Sequence, residues 1–351
     1  MTTMQKTMLK LLQDFNVSEK RILVRCDFNV PQDVDGNILD DFKIKKSLPT
    51  IQYLLEQNAK IILMSHLDVL ENGTMPTMDS VKSKLEELLG VSIKKTDDCV
   101  GPEVLKSANN LQTGEILLLE NVRFHKEETE NSEAFTKELA DLGDIYINDA
   151  FAVCHRAHAS VAGVPKYLPH GAGFLLEEEL KNLDIILKNP ARPLVVLVGG
   201  AKVETKYKFI ENISEIADTV LIGGLLKKEI IEENLQFKNP EKIIGPEDNL
   251  SAKDLDEKTI ELFCQKIAEA KTILWNGPFG FFEEKEFEAG TLKIAQAIIK
   301  SGAFSVVGGG QTVEFLNKEG MLDKFSYVST GGGAMLDYLS DQQLPGLKAL
   351  E

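Results

Sequence analysis

Residues 193–200 read PLVVLVGG: five consecutive leucines and valines between a proline and two glycines. An unalternating apolar run of this length suits a strand buried on both faces, as parallel sheets bury theirs. The glycines mark a tight turn at its carboxyl end. Eight further runs share the pattern: ILVRCDF (22–28), KIILMSH (60–66), EILLLEN (115–121), DIYIND (144–149), TVLIGG (219–224), TILWNG (272–277), FSVVGGG (304–310) and YVST (327–330). Between them lie stretches such as SVKSKLEELLG (80–90) and EAFTKELADLG (133–143), with helical apolar spacing and a closing glycine. Strands alternating with helices predict an α/β fold built on mostly parallel sheets.

A chain of 351 residues exceeds the size at which one core stops growing, so two domains are expected. The stretch from Gly163 to Pro193 divides them: four strand candidates precede it, five follow, and it contains the helix-like FLLEEELKNLDIILKN (174–189). The expected fold class is two doubly wound, mostly parallel sheet domains joined by a helix, with an inter-domain cleft. The first domain covers 1–170, the connecting helix 171–190 and the second domain 191–337.

Composition narrows the function. Lys plus Arg total 39 against 55 Asp plus Glu, a formal charge of −16, which argues against nucleic-acid binding. Four scattered cysteines form neither a disulfide framework nor a C-x-x-C clip. Neither a signal peptide nor an apolar stretch long enough for a bilayer is legible, so a soluble cytoplasmic protein without membrane partners is expected. The acidic pairs Glu127-Glu128 and Glu177–Glu179 read as solvated helix faces.

Ligands of open α/β sheets bind beyond the carboxyl ends of the strands. In the first half those ends carry Asp27, Asn29, His66, Arg123 and His125. With only five arginines in the chain, Arg123 and Arg156 beside histidines suggest an anion pocket, because a guanidinium forks onto phosphate or carboxylate. In the second half the ends carry GGAK (199–202), GGGQT (308–312) and STGGG (329–333). Glycine turns that open helices present backbone N–H groups to phosphate. Lys202 and Lys206, four apart, would share a helix face over such a site. The chain lacks the P-loop pattern G-x-x-x-x-G-K-[ST], a G-x-G-x-x-G after a strand, zinc-ligand spacing and a G-x-S-x-G elbow.

Seven segments in order, RILVRCDFNVP (21–31), LLLENVRFHKEE (117–128), INDAFAVCHRAHAS (147–160), VGGAKVETK (198–206), WNGPFGFFE (275–283), VVGGGQT (306–312) and STGGGA (329–334), resemble the phosphoglycerate kinase family over nearly the whole chain. The resemblance implies two α/β domains that close about a hinge, a C-terminal tail (338–351) packing back on the first domain, and a monomer. It implies phosphoryl transfer between 1,3-bisphosphoglycerate and Mg-ADP, giving 3-phosphoglycerate and ATP in glycolysis, with Mg²⁺ as cofactor. Carried over by position, Asp27, Asn29, Lys43, His66, Arg123 and Arg156 would bind phosphoglycerate. Lys202, Lys206, Gly224, Asn276, Pro278, Glu283, Gly309, Gly310, Gln311 and Thr312 would bind nucleotide. Lys43, Lys206, Gly332 and Gly333 would act on the transferring group, with the amide of Gly331 beside them.

The chain departs from that family at functional positions. Lys43 stands where the family has an arginine, which costs a two-point grip on an anion, about 1.5–3 kcal/mol. The family's Ser-His-Leu-Gly-Arg-Pro is here Ser65-His66-Leu67-Asp68-Val69-Leu70, replacing an arginine and adding an acid. Gln311 replaces the aspartate that would ligate Mg²⁺, leaving an uncharged carbonyl oxygen. The region between Leu225 and Asp254 is shorter by a few tens of residues. An active but divergent enzyme is the leading expectation. A non-catalytic relative that binds an anion or a protein partner is the alternative, and a nicotinamide dehydrogenase has only the α/β rhythm behind it.

Overall fold

A computed structural model describes residues 9–200, 203–204 and 206–351. It divides into two compact units, one formed by residues up to Glu178 together with Gln343–Glu351, the other by Glu179–Gln342. The first unit holds β1 (Arg21–Cys26), β2 (Lys60–Met64), β3 (Ile93–Lys95), β4 (Ile116–Leu118), β5 (Ile145–Asp149) and β6 (His170–Ala172). The second holds β7 (Leu194–Val198), β8 (Thr219–Ile222), β9 (Ile243–Ile244), β10 (Thr272–Asn276), β11 (Phe304–Gly308) and β12 (Tyr327–Val328). The sheet orders are β3-β4-β2-β1-β5-β6 and β12-β11-β10-β7-β8-β9, and neighbouring strands pair in parallel throughout.

Each sheet is anchored where the sequence is most uniformly apolar. Ile22, Leu23 and Val24 of β1 are fully buried, as are Leu194, Val196, Leu197 and Val198 of β7. Each such side chain contributes about 1.5–3 kcal/mol over an exposed one. The strands expected from the apolar runs are all present. Three more, β3, β6 and β9, were not expected from those runs, and all three lie at a sheet edge. They are two or three residues long, and β3 (IKK) and β6 (HGA) are not apolar runs.

The order of strands reverses beside β1 and beside β7, because the chain first builds one flank of each sheet and then the other. The splayed connections at such points leave a crevice at the carboxyl edge. One falls between β1 and β5, the other between β7 and β10. The helix Phe174–Lys188 runs from the first unit into the second. At its start, the amides of Leu175 and Leu176 donate to Asp149 Oδ1 at 2.9 and 3.4 Å. Near the chain end, the amide of Gly346 donates to Cys154 O at 2.8 Å, fixing the tail on the first unit. A Cβ at Gly346 would sit 2.8 Å from Val161 and 2.9 Å from Cys154, so glycine permits that approach.

Two expected solvated acids are buried instead. Glu128 and Glu179 both have no exposed area. Glu128 accepts from the Ser160 amide at 2.8 Å and from its hydroxyl at 2.6 Å. Glu179 accepts from the Thr330 amide at 2.6 Å and from its hydroxyl at 2.8 Å. A buried carboxylate is tolerated only when satisfied in this way. Both contacts fix loops at the carboxyl ends of the sheets. Among the described residues no helix is long and apolar enough to cross a membrane.

Candidate active site

In the first unit, the carboxyl ends of β1, β2 and β4 converge. Asp27 follows β1 directly and is 2 % exposed. Lys43, in the first turn of the helix Phe42–Glu56, places its ammonium 2.8 Å from Asp27 Oδ2. Burial pushes the Asp27 carboxyl upward, but Lys43, His66 and Arg25 outweigh it and hold it below the usual carboxylate value. His66 follows β2 within a strand end that Ser65 secures: the Ser65 hydroxyl donates to Cys26 O at 2.9 Å and accepts from the Phe28 amide at 2.8 Å.

Arg25 lies inside β1 and is fully buried. Its Nε donates to Ser160 Oγ at 2.8 Å, a further N–H donates to Cys26 O, and Nη2 lies 3.2 Å from His66 Nδ1. An arginine can only donate, so Nδ1 accepts and the ring proton sits on Nε2. Burial, reinforced by the Arg25 charge, holds the His66 pKa well below 6.5, so the imidazole is neutral. A continuous chain results: Glu128, Ser160, Arg25, His66. Sequence reading missed Arg25, Ser160 and Glu128, because an arginine within ILVRCDF has no local sign of a polar role.

Arg123 sits on the short turn Val122–Phe124. Asn121 caps that turn by accepting from the Arg123 amide at 3.0 Å, and its side-chain amide donates to Leu67 O and Pro76 O at 3.0 Å. The Arg123 guanidinium meets Asp68 at 3.7 Å, while its Nε and Nη2 are buried without a hydrogen-bond partner among the described residues. Burial lowers the Arg123 pKa, and the charges of Arg156 and Arg25 act in the same direction. His158 responds to the same three arginines: burial, then Arg123, Arg156 and Arg25, lowers it to about 4. Asn29 closes the group, exchanging hydrogen bonds of 2.8 and 3.0 Å with Asp68. Of the six residues expected to bind phosphoglycerate, the structure brings Asp27, Lys43 and His66 together and sets Asn29 and Arg123 around Asp68, while the charge of Arg156 acts on Arg123. The chain-specific Asp68 touches two of them.

In the second unit, the turns after β7, β10 and β11 are bound to one another. The Gly199 amide donates to Asn276 O and the Gly200 amide to Pro278 O, both at 2.9 Å. The single tryptophan, Trp275, is fully buried and donates to Gly277 O at 2.9 Å. Thr312 accepts from the Gly277 amide at 2.9 Å, joining that turn to the helix Gly310–Lys318. Lys206 lies across these turns, its ammonium donating to Gly199 O. A Cβ at Gly277 would lie 2.4 Å from the backbone Gly199 O, so glycine permits that approach. Gly200 and Gly277 both have positive φ, +89° and +90°. Burial lowers the Lys206 pKa to about 8. Lys202 lies outside the described residues.

A cavity of about 370 Å³ opens beside these turns. Gly200, Gly224, Pro278, Glu283 and Gln311 contribute to its wall, and Phe279 and Phe281 supply apolar surface. Pro246, Asn249 and Ala252, from the shortened segment, form part of the same wall. Gln311 Nε2 donates to Glu283 Oε1 at 3.2 Å. Asn276 packs against the Gly309 turn, where a Cβ would lie 3.0 Å from its side-chain nitrogen. The loop bearing Gly331, Gly332 and Gly333 is held at Thr330 by Glu179, and Gly332 caps the helix Gly333–Leu339.

Comparison with known proteins agrees with this layout. A sequence profile described as phosphoglycerate kinase matches residues 12–236 and 227–342. Its two stretches overlap inside the segment expected to be shortened. The phosphoglycerate kinase of Borrelia hermsii is 40 % identical over 390 residues, covering 98 % of this chain and 99 % of its own. That of Dictyoglomus turgidum is 42 % identical over 395 residues, covering 99 % of both. Among solved structures, phosphoglycerate kinase from Pyrococcus horikoshii matches with a TM-score of 0.88 at 32 % identity over 98 % of each chain. The Coxiella burnetii enzyme matches at 0.82 and 34 %, over 98 % of this chain and 99 % of its own. With a family profile over most of the chain and full-length relatives at about 40 % identity, this chain belongs to the phosphoglycerate kinase family.

Proposed function

We propose that the chain is a working phosphoglycerate kinase, moving a phosphoryl group reversibly between 1,3-bisphosphoglycerate and Mg-ADP to give 3-phosphoglycerate and ATP. The observation that carries this reading is Arg123: a half-buried guanidinium whose buried Nε and Nη2 find no acceptor among the described residues, set among further cations, suits an anion. Arg123, Arg156 and Lys43 hold the carboxylate and phosphate of phosphoglycerate, and neutral His66 donates from Nε2. Asn29 and Asp27 set the rim, Asp27 by fixing Lys43.

On the other unit, Lys206, with Lys202, binds the nucleotide phosphates above the glycine turns. Gly309, Gly310 and Thr312 position them, Asn276 and Pro278 lie alongside, and Gly224 and Glu283 border the base and sugar. Such transfer is mostly positioning and charge stabilisation. Lys43, Lys206 and the amides of Gly332 and Gly333 supply that charge to the moving group. Hinge closure would exclude water from it.

The donor set fits Mg²⁺ held chiefly by substrate phosphates. Gln311 offers an amide oxygen and the neighbouring Glu283 a carboxylate, hard donors suited to this ion. Among the described residues the second unit has no group of three acids or histidines that would form a complete cage. When bound, the ion would neutralise charge on the phosphates, with Gln311 and Glu283 as its protein donors. Each half-site lies within one chain, which supports action as a monomer, and we place that action in the cytoplasm.

Three outcomes follow from this reading. 3-Phosphoglycerate and Mg-ATP should each raise the melting temperature separately, by mass action on the folded state, whereas NAD should not; a protein unmoved by both substrates would not be this enzyme. Asp68→Asn should lower KM for 3-phosphoglycerate about two- to fivefold with little change in kcat, because an exposed pair holding back Arg123 is worth about 0.5–1 kcal/mol. An unchanged KM would mean that Asp68 does not compete for Arg123. Finally, kcat/KM for ATP should fall as pH rises through about 8, where free Lys206 loses its proton, and Lys206→Arg should remove that alkaline limb. A limb that persists in the arginine variant would belong to another group.

A further inference from the structure

Three side chains outside both half-sites converge beside the turn that carries Arg123. Asp98 and Cys99 lie in the loop between β3 and the helix Pro102–Asn109, and His125 follows the turn Val122–Phe124. A carboxylate oxygen, a thiol sulfur and an imidazole nitrogen from these residues all lie within 4.8 Å of one another. Among the described residues, no other group of three acids, histidines or cysteines is so arranged. His125 Nε2 lies 2.7 Å from Asp98 Oδ1, which also accepts from the Cys99 amide at 2.6 Å.

The positions are fixed by backbone rather than by chance contact. Asp98 O accepts from the Thr96 hydroxyl at 2.7 Å and from the Glu120 amide at 3.4 Å, which ties the loop to the end of β4. The His125 ring packs on Phe135 with centroids 5.2 Å apart. The Asp98 side chain is 51 % exposed and that of His125 28 %, while Cys99 forms the buried floor. Burial and the charge of Asp98 keep the Cys99 thiol protonated, so only a cation with real affinity for sulfur would displace its proton.

A sulfur, a nitrogen and an oxygen suit a borderline divalent ion of the Zn²⁺ type, not Mg²⁺ or Ca²⁺, which take oxygen alone. An ion at about 2.0–2.3 Å from each of three donors sets them about 3.3–3.8 Å apart, which side-chain rotation from this arrangement reaches. We propose that Asp98, Cys99 and His125 form a binding site for a Zn²⁺-type cation, distinct from the Mg²⁺ that accompanies nucleotide. Binding forms a metal–sulfur bond and releases the Cys99 proton to solvent; water completes the coordination. The ion would join the Asp98 loop to the segment just after Arg123.

Titration of the full-length protein with Co²⁺ alone tests this. One Co²⁺ per chain should bind with a thiolate-to-cobalt charge-transfer band, and Zn²⁺ should abolish the band by displacement. Cys99→Ser should eliminate it, and His125→Asn, a partly exposed change that leaves the core intact, should weaken Co²⁺ binding at least tenfold. Cys264→Ser, which removes the most accessible thiol, should change nothing. Absence of a thiolate band in the wild-type protein, or a band that survives Cys99→Ser or is unaffected by His125→Asn, overturns the proposal.

Discussion

Arg25 is a guanidinium with no exposed surface, and the strand ends of the first unit are organised around keeping it charged. An unpaired charge in such a place costs several kcal/mol, and breaking one partner of a buried pair costs about 3–5 kcal/mol. Ser160, Cys26 O and His66 absorb its donors, and Glu128 closes the chain behind Ser160. The consequence reaches the chemistry. His66 is held neutral in one tautomer, so in the proposed function the charge offered to an anion is that of Arg123, Arg156 and Lys43.

In the second unit the turns at the strand ends rely on backbone proximity. Glycines at 199 and 277 let the turns after β7 and β10 approach each other, and the indole of Trp275 with the hydroxyl of Thr312 holds those turns in place. Glu179 fixes the Thr330 loop in the same way that Glu128 fixes Ser160. Departures from the family pattern fall on the rims of this scaffold. Asp68 occupies Asn29 and part of Arg123, Lys43 is engaged by Asp27, and Gln311 rests on Glu283. None of them disturbs the frame.

Much of this was legible in the sequence because parallel strands are buried on both faces and leave continuous apolar runs. LVVLV at 194–198 could hardly be anything but a central strand. The edge strands β3 and β6 left no such signal, since IKK and HGA are not apolar, and β9 is a bare pair of isoleucines. Glu128 and Glu179 were misread as solvated because their partners lie 32 and 151 residues away, beyond any local pattern. Arg25 was hidden for the converse reason, as a polar residue inside a core-like run. Arg123, His66 and the glycine turns were visible because strand ends are where open sheets put ligands.

The central claim is that the retained frame still performs transfer despite Lys43, Val69 and Gln311. Its most direct test is ADP formation from Mg-ATP by the pure protein, with and without 3-phosphoglycerate, while the acyl-phosphate product is removed enzymatically. The account predicts ADP that depends on 3-phosphoglycerate. Folded protein that releases no ADP at saturating substrate would contradict it, and the chain would then be a member of the family that binds without turning over.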